Sequence, residues 1–144
     1  MSRISQENSL EPLCSPENLQ CEPRVRELLA RLAAAPPQVL LLEGGEPSSR
    51  KAMALYWACL LNCEAPDKGA PCLECHSCRK MLLNTHRDLF FLDGSRASIK
   101  IDEVREVRGV LGDPPRDARY RMVVLYEAQV LVMEAANALL KSLE

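Results

Sequence analysis

The stretch GGEPSSRKA, Gly44 to Ala52, follows the apolar run Val39-Leu40-Leu41-Leu42 and leads into a segment with helical spacing. A strand, a glycine-opened turn and a helix form the frame of a phosphate-binding loop, because a helix N-terminus offers free N–H groups and a positive dipole to an anion. The side chains do not complete that frame. A hydrolytic loop runs Gly, four residues, then Gly-Lys-Ser/Thr: the second glycine admits the phosphate, the lysine reaches its outer oxygens and the hydroxyl holds Mg²⁺. Counted from Gly44, these last three positions are Ser49, Arg50 and Lys51; counted from Gly45, they are Arg50, Lys51 and Ala52. Neither register supplies the Mg²⁺ ligand, and Pro47 removes one N–H from the cradle. Gly44, Gly45, Ser48, Ser49, Arg50 and Lys51 therefore read as the remnant of a nucleotide loop, or as a plain βα turn with Ser48 or Ser49 as the helix N-cap.

The 144 residues, 47% of them hydrophobic, suffice for one packed domain or part of one. A formal net charge of −2 gives no overall basic field for reading nucleic acid. Met1 to Leu10 is polar, with no secretory pattern, and the longest apolar run, Ala52 to Leu61, falls short of the ~20 residues a membrane span needs. A cytoplasmic protein without membrane contact is expected. Seven cysteines in such a chain point to reduced thiols or metal ligands rather than to disulfides.

Residues 1–21 carry no hydrophobic period and read as a flexible N-terminal arm. Glu22 to Ala35 has Val25, Leu28, Leu29 and Leu32 at helical spacing, and Pro36-Pro37 stops it. Gln38 to Leu42 is continuously apolar, as a strand buried on both faces is, and Asp88 to Asp93 and Tyr120 to Ala128 read as two further strands. Helices are expected over Ser49 to Leu61, over Ile101 to Leu111 and from Met133 onward, with a short one through Met81 to Leu83. Strands alternating with helices imply an α/β layer fold with a mostly parallel sheet over residues 22–144.

The insertion 62–78 interrupts this alternation and places Cys63, Cys72, Cys75 and Cys78 in a C-x8-C-x2-C-x2-C array. Two-residue gaps let neighbouring thiolates face one centre, and the loop through Gly69 and Pro71 brings Cys63 round to complete a tetrahedron. Four thiolates with no open position describe a structural zinc site. His76 is a poor substitute ligand, since its position beside Cys75 would strain the chelate. Cys14, Cys21 and Cys59 lie outside the array. PCLEC also matches half of a zinc-deaminase signature, but no Glu stands at the required place upstream, and a four-thiolate site leaves no position for a catalytic water.

The third strand should end in Asp-Glu if the chain hydrolysed nucleotide, the Asp for Mg²⁺ and the Glu to polarise water. It ends in Tyr126-Glu127. A tyrosine is no ligand for a hard cation, so Mg²⁺ loses its side chains at two separate places. Taken in order, LLLEGG, LNCEAPDKGAPCLECHSCRK, THRDLFFL, KIDEVREV, YRMVVLYEA and NALLKSLE resemble the N-terminal module of bacterial clamp-loader subunits, the tau/gamma and delta-prime pair of DNA polymerase III. The resemblance runs from about Val25 to Glu144. It implies an AAA+ αβα sandwich of the P-loop type, with zinc at Cys63, Cys72, Cys75 and Cys78. Tyr126 and Glu127 fall on the Walker B position, and Arg50 and Lys51 on the end of the phosphate loop.

Within the pair, the altered loop and Tyr126 resemble delta prime, whose role in the family is a non-hydrolysing arm of the ring that loads the sliding clamp. Tau/gamma, delta, the clamp and primer-template DNA are the implied partners, and ATP with Mg²⁺ is not expected as a cofactor. The family's trans-acting arginine lies in a Ser-Arg-Cys motif that this sequence lacks. The alternatives are a divergent tau/gamma-like ATPase using Arg50, Lys51 and Glu127, and a zinc-organised module binding protein or DNA near Arg79 and Lys80. The family's sheet order also implies that the module is truncated at its C-terminal end, with a further strand belonging between residues 38–42 and 120–126.

Overall fold

The sheet consists of two short runs, LFFLD and MVVLY. In the computed structural model, which describes residues 13–19 and 21–143, they form β1 (Leu89–Asp93) and β2 (Met122–Tyr126). The strands are parallel, with Leu89 opposite Met122 and Asp93 opposite Tyr126. A parallel pair needs a crossover, and α4 (Ile101–Leu111) supplies it. The remaining helices are α1 (Pro23–Leu32), α2 (Pro47–Asn62), α3 (His76–Leu82) and α5 (Met133–Leu143). None of these helices is long and apolar enough to cross a membrane.

Alternation along β2 separates two cores. Met122 and Val124 pack against the cluster built by α1, α2 and α3, which includes Leu29, Leu55, Met81 and Leu89. Val123 and Leu125 point the other way, onto Leu92, Ile99, Val104, Val107 and Ala135. Helices thus cover both faces of a parallel sheet, as continuously apolar strands require. From Leu55 to Asn62 every residue of α2 is buried, the signature of a helix enclosed on all sides.

Several expectations are corrected. Gln38 to Leu42 forms no strand: Val39 is 50% and Leu41 76% exposed, and Leu40 packs on the core. A strand needs a neighbour for its N–H and C=O groups, and the described residues give β2 one partner, β1, leaving its other edge open. All five β2 residues are accordingly only half-buried. Leu28, expected on the buried face of α1, is 55% exposed, whereas Leu29 beside it is buried in the core cluster. The arm is not loose throughout: Leu13 N–H donates to the Leu82 carbonyl at 2.7 Å, and Leu19 and Cys21 are buried. Residues 1–12 and 20 lie outside the described residues.

One buried ion pair fixes the sheet to its surroundings. Asp88, just before β1, has no exposed surface. Its carboxylate accepts from the backbone N–H groups of Arg116 at 2.9 Å, Asp117 at 2.7 Å and Ala118 at 2.8 Å. Arg121 adds Nε at 3.2 Å and Nη2 at 3.1 Å, while its Nη1 donates to the Val110 carbonyl at 2.6 Å. Burial by itself pushes the Asp88 carboxyl up, but these donors outweigh it and hold the group down to about 2. Removing the carboxylate leaves Arg121 buried and unpaired, so Asp88→Ala should cost on the order of 3–5 kcal/mol in a denaturant melt. Because the folded value lies below the ordinary 3.8, the carboxylate's contribution is complete above about pH 4 and is lost as pH falls through about 2. An acid titration should show that loss in the parent chain and not in the Asp88→Ala variant.

Candidate functional site

Pro47 occupies the first position of α2, with Glu46 as N-cap. A proline's fixed φ suits that position, so the helix begins two residues before the expected Ser49. Neither serine is the cap, and Ser48 and Ser49 stand exposed in the first turn. Gly44 and Gly45 both take positive φ, +79° and +61°, which lets the chain turn tightly enough for its carbonyls to face the helix.

Arg50 occupies the space inside that turn. Its Nη1 donates to the carbonyls of Gly44 and Gly45, both at 2.9 Å. Its Nη2 reaches Glu127 Oε1 at 2.8 Å, across from the end of β2. Glu127 sits in the left-handed region, φ 54°, and its other oxygen accepts from Gln129. The Arg50 bond, with Gln129 second, holds the Glu127 carboxyl below the usual carboxylate range. Lys51 Nζ lies 5.5 Å from the Phe91 ring centre and 5.6 Å from that of Tyr126, a cation–π arrangement. The two rings are 6.0 Å apart. Gly44, Gly45, Arg50, Lys51, Tyr126 and Glu127 therefore converge, while Ser48 and Ser49 remain outside. Both cations of the loop are engaged by groups of the chain itself. Sequence reasoning missed Phe91 and Gln129; the alternation of β1, which places Phe91 on the α2 side, was the available signal for the first.

The four cysteines also converge. The Sγ atoms of Cys63, Cys72, Cys75 and Cys78 lie within 4.8 Å of one another. A tetrahedral ion with metal–sulfur distances of about 2.3 Å separates its sulfurs by roughly 3.8 Å, so the cluster fits such an ion with little adjustment. Local structure builds it. Lys68 and Gly69 both have positive φ, and Asp67 and Ala70 exchange backbone hydrogen bonds at 3.0 and 2.9 Å. That is a tight I′-type hairpin turn, and it returns the chain so that Cys72 N–H donates to Cys63 Sγ at 3.3 Å. Cys75 N–H donates to Cys72 Sγ at 3.2 Å, and Cys78 N–H to Cys75 Sγ at 3.4 Å, which makes Cys75 the N-cap of α3. Leu73 is left-handed at φ 61°, a strained state for a leucine that persists because the turns on either side fix it.

As free thiols the four are poorly matched. Burial pushes Cys63 up to about 12, whereas the N–H groups of Glu74 and Cys75 hold Cys72 down to about 7. The adjacent Cys59 thiol, and then burial, raise Cys78. A soft divalent cation would replace those protons and satisfy all four sulfurs. Cys59 is fully buried behind the cluster and donates to the Cys78 carbonyl at 3.9 Å.

A family model described as DNA polymerase III, delta subunit, matches residues 24–144. The DNA polymerase III subunit delta' of Pseudomonas aeruginosa is 36% identical over 106 residues, covering 72% of this chain and 32% of that protein. Subunit tau of Bacillus subtilis is 29% identical over 104 residues, 72% of this chain and 18% of the relative. Subunit delta' of Escherichia coli is 35% identical over 86 residues, 58% of this chain and 26% of that subunit. The chain thus spans a third or less of the length of each of these relatives.

The loop geometry carries its own test. In Arg50→Ala the donor that holds Glu127 down is gone, so the Glu127 carboxyl should titrate at higher pH than in the parent chain, read from its side-chain ¹³C shift. An unchanged titration would mean that Arg50 does not engage Glu127 in solution.

Proposed function

Because the chain belongs to the DNA polymerase III clamp-loader family, we propose that it is a delta-prime-like subunit, a non-hydrolysing arm of the ring that loads the sliding clamp onto DNA. The observation that carries this reading is the Arg50 guanidinium, held at once by the Gly44 and Gly45 carbonyls and by Glu127. In an active loop that space admits a phosphate, and the acidic residue at the strand end serves the attacking water. Here a cation of the chain occupies the one and neutralises the other, and Tyr126 supplies no carboxylate for Mg²⁺. The pattern of identities supports the same choice: three relatives named delta' match at 35–38% and five named tau or gamma at 28–29%.

In this reading the fold is an AAA+ αβα sandwich, and residues 38–42 become a strand when another strand lies between them and β2. The tau/gamma and delta subunits are the partners that the module docks on, and the clamp and primer-template DNA are reached through the complex. Zinc is the ion at Cys63, Cys72, Cys75 and Cys78, with a structural role, since four thiolates leave no site for water or substrate.

Two measurements test the proposal. ATP should show no Mg²⁺-dependent binding at micromolar concentration to the chain. The variant carrying Ser49→Gly, Arg50→Lys and Lys51→Thr should still not hydrolyse it, for want of a carboxylate at position 126; turnover by that variant would refute the account. For zinc, replacing Cys72 by Ser should abolish stoichiometric metal and speed amide exchange over residues 62–78, while β1 and β2 keep their protection. Loss of protection in the sheet as well would show that residues 62–78 and the sheet are one folding unit.

A further inference from the structure

Alternate residues of β2 turn their N–H and C=O groups away from β1. Met122 N–H donates to the Asp88 carbonyl and Gly94 N–H to the Tyr126 carbonyl, both at 2.8 Å. The two edges of a strand are served by alternate residues, so Met122, Val124 and Tyr126 bond to β1, and the N–H and C=O groups of Val123 and Leu125 point to the open side. There they meet no backbone partner among the described residues. The strand is only half-buried along its whole length, whereas Leu89, Phe91 and Leu92 of β1 are buried. The accessible edge of the sheet is therefore that of β2.

An unpaired edge is a template for another strand, and edge strands are commonly guarded by lysine, proline or a bulge. MVVLY has neither lysine nor proline, and its pairing with β1 runs without a break. The strand is also its own complement. One edge meets the same edge of a second copy about a two-fold axis, which makes the new pair antiparallel. With the axis at Val124, Val123 of each copy lies opposite Leu125 of the other, and both pairs are of the kind that exchanges two N–H···O=C bonds. Side chains then meet as Val124 with Val124, Val123 with Leu125 and Met122 with Tyr126, all apolar cross-strand pairs. The first charged residues beyond them, Arg121 and Glu127, stand opposite each other, so no like charges are opposed. Other registers are poorer. An axis at Val123 or Leu125 retains one bonded pair within β2 and sets an apolar residue against Arg121 or Glu127; an axis between residues matches outward groups with inward ones.

We propose that the edge of β2 is a self-association surface whose partner is a second copy of this chain, the two β2 strands pairing antiparallel about Val124 to make one continuous sheet. A contact built on one short strand is small, so the dimer is weak and reversible. The inference does not rest on the clamp-loader reading, in which another strand takes this edge. The two uses exclude each other, and failure of the dimer leaves that reading untouched.

Sedimentation of the whole 144-residue chain, loaded with zinc and kept reduced so that no disulfide joins two copies, should show a reversible monomer–dimer equilibrium between roughly 10 µM and 1 mM. Amide exchange at the two ends of that range locates the contact. The Val123 and Leu125 amides should exchange about tenfold more slowly at the higher concentration, while those of Val124 and Tyr126, already bonded to β1, change less. Leu125→Pro removes the outward N–H and none that bonds β1, at an edge position that tolerates proline, and should weaken the dimer about tenfold or more. If that variant does not fold, the exchange measurement on the parent chain decides alone. A monomer throughout the range, growth past the dimer, undiminished pairing by folded Leu125→Pro, or a dimer whose Val123 and Leu125 amides exchange as fast as in the monomer would overturn the proposal.

Discussion

The buried carboxylate of Asp88 is the constraint on which the rest of the architecture depends. A charge with no exposed surface is tolerable only when its lone pairs are filled, and here three backbone N–H groups and the Arg121 guanidinium fill them. That requirement orders residues 116–118, which have no regular structure of their own. It also sets the register of the sheet: the Asp88 carbonyl accepts Met122 N–H at 2.8 Å, and pairing runs on from there. Asn62, at the end of α2, ties in from the other side, its Oδ1 accepting Tyr120 N–H at 2.8 Å. Each site inherits its position from this junction. Cys63 follows Asn62, and Glu127 follows β2.

The loop after residue 43 is tied to the sheet by its own cations. The positive φ angles of Gly44 and Gly45 preserve the tight turn. Arg50 then joins that turn to the strand end through its ion pair with Glu127. Lys51 is drawn over Phe91 and Tyr126. A tyrosine ring is well suited to shelter an ammonium group, so the residues at 50, 51 and 126 fit one another. The resulting loop is a brace between α2 and the sheet.

Much of the architecture was legible because it rests on local rules. The limits of α4 agree with the helical spacing of Val104 and Val107, and the β1 and β2 runs lie within the expected apolar stretches. The cysteine array was readable for the same reason, since short gaps force thiols together whatever surrounds them. α2 starts before the expected Ser49 because serine preference at the N-cap competes with proline preference at the next position, and proline, with φ already fixed, prevails. Gln38 to Leu42 differs from expectation for another reason: apolarity suits a strand, but a strand exists only through its neighbour.

The sequence by itself determined the α/β alternation and the four-thiol cluster, because each follows from residue type and spacing along the chain, and the family through its resemblance to known subunits. Only the tertiary structure decided that Arg50 closes the loop on Glu127, 77 residues away, and that Asp88 is an anchor rather than a strand residue. Those outcomes depend on which side chains are brought within about 3 Å of one another after the chain has crossed the sheet. Distance along the sequence carries no information about that approach; burial and the need to satisfy each buried polar group do.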